Sequence, residues 1–475
     1  DITVTNDGAT ILKEMDVQNP AAKLMVQASR TVDDEVGDGT TSAVVLAGAL
    51  LEQASNLIEK DIHPTLIASG FQHAAEIADK VIDSISKQAD DDLILQAALT
   101  SIGNKVEGDA KKKLAKIAVD SVSQIKEERD GKVIIDQDLI QITKKQGMGL
   151  LDTELVYGVV LDKEVVHPAM PKVIRDARIA IIDASLEIEK TQIDAEIRIA
   201  DPSQMKAYLD EEENMLKEMV DKIHASGANV VICQKGIDDV AQHFLAKLNI
   251  LAVRLAKATG GNIVTSLEDL SPSDLGHAEL VEERKIGDDK MVFVEGCANP
   301  QAVSILLRGG LERAVDEAER VLKDALSVVA DLYRSKAIVP GGGATEAEIA
   351  KTLRAEAAKI GGREQLVVEA FADAIEAIPR TLAENAGLDS VDVITELRAV
   401  HEKPDGANMG VSMDGTEPVD MFKLGVVEPA LVKRQVIRAA TEAASVIVRI
   451  DDVIMSARSK APSTPKGGPS EGSND

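Results

Sequence analysis

The stretch Gly37-Asp38-Gly39-Thr40-Thr41-Ser42 runs straight into a long apolar segment, residues 43–60 (AVVLAGALLEQASNLIEK). Val44, Val45, Leu46, Leu50, Leu51, Leu57 and Ile58 fall at helical spacing and form a wide apolar stripe. A pliable polar loop is therefore joined to the N-terminus of a helix that has to be packed into a core. Unpaired backbone N–H groups and the positive end of the helix dipole make such a start an anion site. The two glycines let the backbone approach a phosphate closely, and the hydroxyls of Thr40, Thr41 and Ser42 add hydrogen-bonding capacity. Asp38 is the odd member, because a carboxylate beside phosphate oxygens repels them unless a cation lies between. It points to Mg²⁺ and a nucleotide rather than to a bare phosphate. The same residues also fit a plain turn with a Thr or Ser N-cap, and local chemistry alone leaves both readings open.

At 475 residues the chain predicts about three domains of ~100–200 residues, each long enough to bury a core. Aromatic residues make up only 2% and Trp is absent, so the cores must be built from Ala, Val, Ile and Leu. Platforms for stacking nucleic-acid bases are correspondingly scarce. A net charge of −28 also opposes a nucleic-acid partner and an anionic membrane surface, and suits a large soluble assembly. Two cysteines, Cys233 and Cys297, make no disulfide framework, so a reducing, cytoplasmic setting is expected. Cys233, in the apolar run NVVIC, reads as a small buried residue. The seven histidines show no metal-ligand spacing. No apolar run is read as approaching the ~20 residues of a membrane span, and no signal peptide is read.

Along the chain, residues 1–92 read as a hairpin (strands at 2–5 and 10–12 around the turn Asn6-Asp7-Gly8) followed by long Ala-rich helices. Residues 93–158 mix a helix at 111–126 with short strand signals such as 132–135. The middle changes character: 177–182 and 229–233 are β-rich, 237–248 is helical and 250–253 returns to strand, a β-α-β unit around a buried sheet. Residues 306–340 turn helical, 344–475 are mostly helices, and 459–475 (SKAPSTPKGGPSEGSND) form a disordered tail. An α/β block between two helical halves suggests a discontinuous domain arrangement. Asp201-Pro202-Ser203-Gln204 opens a helix, with Asp as cap and Pro in the first turn. Its apolar stripe of Met205, Leu209, Met215, Leu216, Met219, Val220 and Ile223 fits an ordinary surface helix or an adaptable partner-binding flap.

Three further features are candidates for chemistry. Gly341-Gly342-Gly343 precedes a helix from Ala344 and is either a second phosphate-binding helix start or a linker hinge. Asp7 is a turn residue by its local context, and Asp324 interrupts the apolar helical run VLKDALSVV. Each alone is weak.

Together they carry a resemblance. The ordered blocks at 5–12 (TNDGATIL), 37–41 (GDGTT), 227–242 (GANVVICQKGIDDVAQ), 281–287 (VEERKIG), 361–366 (GGREQL), 378–389 (IPRTLAENAGLD), 425–429 (GVVEP) and 449–454 (RIDDVI) run nearly the whole chain. The chain closely resembles the group II chaperonins, the archaeal thermosome and its eukaryotic cytosolic relatives. The resemblance implies a multidomain α+β/α/β chaperonin fold. Its parts would be a helical equatorial ATPase domain (1–92 and 344–475), an intermediate hinge domain (93–158 and 306–343) and an α/β apical domain (159–305). A helical lid protrusion is implied near residues 193–223, with the 237–248 helix presenting substrate-binding surface.

The resemblance also implies site residues. Asp38 matches the Mg²⁺ ligand, and Gly37, Gly39, Thr40, Thr41 and Ser42 belong to the phosphate loop. Asp7 and Asp324 match acids that position or activate the attacking water. Lys105, in TSIGNK, matches a lysine that senses the terminal phosphate, although the surrounding spelling departs slightly from the family's form. Gly341, Gly342 and Gly343 match nucleotide-contacting glycines, and Glu428 resembles a residue that touches the ribose. The implied function is an ATP-driven folding chamber with Mg²⁺ as cofactor. Its partners would be unfolded proteins and homologous subunits in a double ring, with no separate cap. Asp324 is expected to stand in the hinge domain, away from Asp38, and to swing in for hydrolysis. A Leu-Gly-Pro-rich phosphate loop is expected ahead of Asp1, and a short charged stretch between Arg254 and Leu255; both are missing here. An ATP-independent holdase and a small-molecule kinase are the competing readings, the kinase without a separate acceptor pocket in its favour.

Overall fold

The computed structural model describes residues 3, 5, 7–188, 202–254, 264–297, 302–413 and 415–452. Helices from both ends of the chain share one apolar core. Leu46 and Leu50 of the helix Thr40–Ile58, Phe71 and Ile82 of Pro64–Ile85, Leu353 of Ala344–Ile360, Phe371 of Gly362–Ile375 and Ile437 of Ala430–Val448 all meet there. A second core lies inward along the chain. It joins the helices Asp91–Ile102, Gly108–Ile125 and Glu312–Ser335 to the strands Ile140–Gln146 and Val303–Gly309, which pair in parallel. The third core is built wholly from the middle of the chain.

That middle holds a six-stranded sheet in the order Gly158–Leu161, Asp289–Cys297, Gly276–Ile286, Val173–Ile182, Val230–Cys233, Leu251–Arg254. The last three strands are parallel, and the helix Asp239–Lys247 crosses between the final two, as the β-α-β pattern in the sequence predicts. Cys233 is buried in this sheet, and burial pushes its thiol up. The helix Pro202–Ala225 anchors Leu216, Val220 and Ile223 in the same core, while Met205, Tyr208, Leu209 and Met215 stay exposed. Residues 189–201, the tail 459–475 and Leu255 lie outside the described residues.

Three local expectations are corrected. Asp7 does not sit in a hairpin turn: it N-caps the helix Gly8–Glu14, its carboxylate accepting from the N–H groups of Ala9 at 3.3 Å and Thr10 at 2.8 Å. An Asn-Asp-Gly triplet serves a hairpin turn and a helix cap equally, and the capping bonds decide between them. Residues 303–309 form a strand before the helix Glu312–Ser335 begins, where the sequence suggested helix from 306. Every residue of that strand is buried, so it shows no alternation to betray it. Finally, Thr40–Ile58 is long and apolar enough to cross a membrane by composition. Here its apolar face packs against the helices Pro20–Val36, Gly362–Ile375 and Ala430–Val448.

Phe71 and Phe371 pin the first core. Both are fully buried, and their rings meet edge to face with centroids 5.8 Å apart. Phe71→Ala is expected to destabilise this core by ~3–5 kcal/mol, read as an earlier transition in a denaturant titration.

Candidate nucleotide site

The loop opening the site is only three residues long. Gly37 ends the helix Pro20–Val36 in the left-handed region (φ +67°), its N–H returning to the carbonyls of Val32 and Asp33. Gly39, at φ +83°, is the N-cap of Thr40–Ile58 and offers no side chain to the first turn, so the expected Thr or Ser cap is not what forms. Among the described residues no capping side chain satisfies the N–H groups at this helix start. Both glycines are forced by packing as well as by φ. A Cβ on Gly37 would lie 2.6 Å from Ser327 Oγ, and one on Gly39 2.7 Å from a methyl of Val436. The Asp38 carboxylate, between them, accepts from the N–H of Gly39 at 2.7 Å.

A second helix start closes on the first. Thr40 donates its hydroxyl to Asp7 Oδ1 at 3.2 Å, and a Cβ on Gly8 would meet Thr41 Oγ1 at 2.3 Å. Gly8→Ala must therefore push Asp7 and the Thr40–Thr41 turn apart. It is expected to raise the nucleotide dissociation constant by about tenfold or more, measured by calorimetric titration, while the distant Gly131→Ala leaves it unchanged.

These elements line one cavity of about 290 Å³. Asp7, Gly37, Asp38, Gly39, Thr40, Thr41, Ser42, Lys105, Asp324 and Glu428 all line it. Asp324 does not stand apart from Asp38, as the sequence reading had it, but already lines the same cavity. Ser327, one turn along the helix Glu312–Ser335, seats against Gly37 and brings Asp324 with it. Lys105 Nζ pairs with Asp324 Oδ2 at 2.8 Å, both side chains being largely buried. Burial pushes the Asp324 carboxyl up to about 7; Lys105 pulls against this, and the charges of Asp38 and Asp7 add to it. Burial disfavours the Lys105 charge as well, but Asp324 outweighs it and the ammonium is held. For Asp7 burial is overcome by the hydrogen bonds from Thr10 and Ala9, which keep it below the usual carboxylate range.

Gly341, Gly342 and Gly343 are not among the described residues lining this cavity. They lie behind it: a Cβ on Gly341 would lie 2.8 Å from Glu428 Oε1, on Gly342 2.5 Å from Met421 Sδ, and on Gly343 2.6 Å from Pro379 Cβ. Gly343 N-caps the helix Ala344–Ile360. Sequence reasoning did not single out Gly8, Thr100, Ser101 and Asn104, which also line the cavity. Gly103, at φ +57° just past the helix Asp91–Ile102, is the local signal that a turn delivers Asn104 and Lys105 there.

No group of three or more His, Cys, Asp or Glu side chains among the described residues makes a ready metal cage. Mg²⁺ rarely needs one, since one or two carboxylates and the substrate's phosphates usually hold it. The Asp38 carboxylate, at the mouth of an uncapped helix start, fits that requirement.

The order of these segments along the chain decides the family. The model of the TCP-1/cpn60 chaperonin family matches residues 1–458. The chain belongs to this family. It is 55% identical over 479 residues to the thermosome subunit beta of Saccharolobus solfataricus, covering 98% of this chain and 86% of that one. It is 52% identical over 484 residues to the thermosome subunit of Pyrococcus horikoshii, covering 99% and 88%. Among solved structures, the open-state monomer of a group II chaperonin from Methanococcoides burtonii matches with a TM-score of 0.64 at 40% identity, over 87% of this chain and all of that one. The chain is thus a chaperonin of the group II kind, a chaperone acting in protein folding.

Proposed function

We propose that this chaperonin folds non-native proteins by binding and hydrolysing ATP in the cavity around Asp38. The observation that carries the reading is the convergence of an uncapped helix start, Asp38, Lys105 and Asp324 on one cavity. The N–H groups at the start of Thr40–Ile58 and the hydroxyls of Thr40, Thr41 and Ser42 receive the phosphates. Asp38 holds Mg²⁺, which when bound neutralises phosphate charge. Lys105 adds a fixed positive charge beside the terminal phosphate, and Asp7 helps to orient the attacking water. Asp324, with its carboxyl near neutrality, accepts the water's proton. Phosphoryl transfer asks for little more than such positioning and charge neutralisation.

The first core corresponds in this reading to the equatorial ATPase domain, the second to the intermediate domain and the third to the apical domain. The helix Pro202–Ala225, anchored at one end and carrying exposed Met205, Tyr208 and Leu209 among charged residues at the other, is the base of a built-in lid, so no separate cap is required. Subunits assemble in a double ring, take unfolded proteins as substrates and work in the cytoplasm. Release of phosphate from ATP by the purified assembly tests the chemistry. The expected result is turnover that EDTA stops and added Mg²⁺ restores; no turnover above background with Mg²⁺ present would leave the holdase reading instead.

A further inference from the structure

Gly37 and Ser327, which meet beside the nucleotide cavity, also line a second cavity of about 350 Å³ that the proposed chemistry does not use. Three segments close it. The end of the helix Pro20–Val36 brings Asp33, Asp34 and Glu35, the stretch 135–138 brings Asp136 and Asp138, and the last turns of Glu312–Ser335 bring Asp331 and Arg334. Five of these acids are exposed at the rim, where water satisfies them, and such a cluster is not in itself a site. Asp331 is different. Its side chain is 3% exposed, and its Oδ2 is buried with no hydrogen-bond partner among the described residues. Its Oδ1 meets Arg334 Nη1 at 3.3 Å, while Arg334 Nη2 donates to the carbonyl of Ile135 at 2.7 Å. Burial pushes the Asp331 carboxyl up to about 6, with Arg334 pulling against it, so at neutral pH the open oxygen belongs to a carboxylate.

A buried carboxylate oxygen without a partner is costly, and the group that completes it is a water or a cation. The surrounding charge decides between them. Six carboxylates against one guanidinium leave the cavity strongly negative, which draws a cation to the one oxygen that the protein leaves open. No three His, Cys, Asp or Glu side chains among the described residues form a cage, so an ion stripped of its water is not what fits. Ions of the Mg²⁺ kind bind through one or two carboxylates and keep several waters, and the cavity has room for that shell. We propose that Asp331 holds a hydrated divalent cation of the Mg²⁺ class here, with Asp34 and Asp138 at the rim accepting hydrogen bonds from its waters. The ion bridges the helix that leads into Asp38 and the helix that carries Asp324 without touching the nucleotide. The site does not depend on the reading of the other cavity as an ATP site.

The test uses Mn²⁺, which shares the octahedral oxygen coordination of Mg²⁺, with the free ion counted by electron paramagnetic resonance in the assembled protein without nucleotide. All samples carry Asp38→Asn, so that the metal assigned to the ATP cavity does not contribute. The expected result is saturable binding of about one Mn²⁺ per subunit, displaced by Mg²⁺ and not by an equal concentration of K⁺. Adding Asp331→Asn, which keeps the shape of the side chain, should raise the dissociation constant by about tenfold or more, and adding Asp34→Asn/Asp138→Asn instead by about threefold or more. No saturable binding up to roughly 10 mM, about tenfold beyond the weakest sites for hard divalent cations, would overturn the proposal and leave a water on Asp331. Unchanged affinity after Asp331→Asn would also overturn it, as an adventitious ion on the rim only. Displacement by K⁺ as readily as by Mg²⁺ would overturn the divalent assignment. If the Asp331→Asn protein does not assemble, unchanged affinity in the rim variant overturns the proposal in its place.

Discussion

Asp324→Asn is expected to slow ATP hydrolysis by about 10²–10³-fold, the usual loss when a general base is removed, with little change in KM for ATP. The substitution keeps the size and shape of a side chain that is 13% exposed and removes only its ability to accept a proton. The pH dependence carries the sharper sign. Asp324 acts as a base only when ionised, and burial places its carboxyl at about 7. In the wild type, kcat should therefore fall about tenfold per pH unit below 7 and level off above it. In Asp324→Asn that acid limb should disappear from the residual rate. Full activity in the variant, or an unchanged acid limb, would contradict the role given to Asp324. A rise in KM with kcat unchanged would instead mark it as a binding residue.

Asp38→Ala has the second large effect, and for a different reason. Asp38 is the cavity carboxylate assigned to the metal, and its Oδ1 also accepts from the N–H of Gly39 at the helix start. Losing the metal's share of charge neutralisation removes several kcal/mol of transition-state stabilisation, which amounts to about 10³-fold or more in kcat. Hydrolysis should then become insensitive to Mg²⁺ over a range that saturates the wild type. Asp38→Asn keeps the hydrogen bond to Gly39 but not the full charge. It should show nearly the same loss, which separates metal binding from loop shape. A rate that still rises with Mg²⁺ in Asp38→Ala would place the metal elsewhere.

The most legible part of the site was its local part. Two glycines, an acid and three hydroxyls ahead of an apolar helical stripe state their chemistry in consecutive residues, and the helix Thr40–Ile58 begins within that stretch. Asp7 was visible as a polar turn residue, but the choice between hairpin and helix cap depends on its contacts with Ala9, Thr10 and Thr40. The position of Asp324 was not legible. Its approach to Asp38 follows from Ser327 meeting Gly37, a contact between residues nearly three hundred apart in sequence. The triple glycine read correctly as a helix start, yet its neighbours Glu428, Met421 and Pro379 are all remote, and only packing shows that it makes room for Glu428. Lys433 gave the least warning, since a lysine in a helix is by default solvated and the two carboxylates it pairs with, Glu346 and Glu428, come from other segments. The sheet of the middle region was easier, because buried parallel strands are written as short apolar runs.

The central claim, that ATP hydrolysis drives folding, is tested most directly by refolding a chemically denatured protein of measurable activity with the purified assembly. Equal samples would receive ATP with Mg²⁺, a non-hydrolysable ATP analogue with Mg²⁺, or no nucleotide. The expected result is recovery of activity with ATP, and recovery near the spontaneous level with the analogue or without nucleotide. Equal recovery in all three would contradict the claim and leave a chaperone that holds its substrates without using the cavity around Asp38.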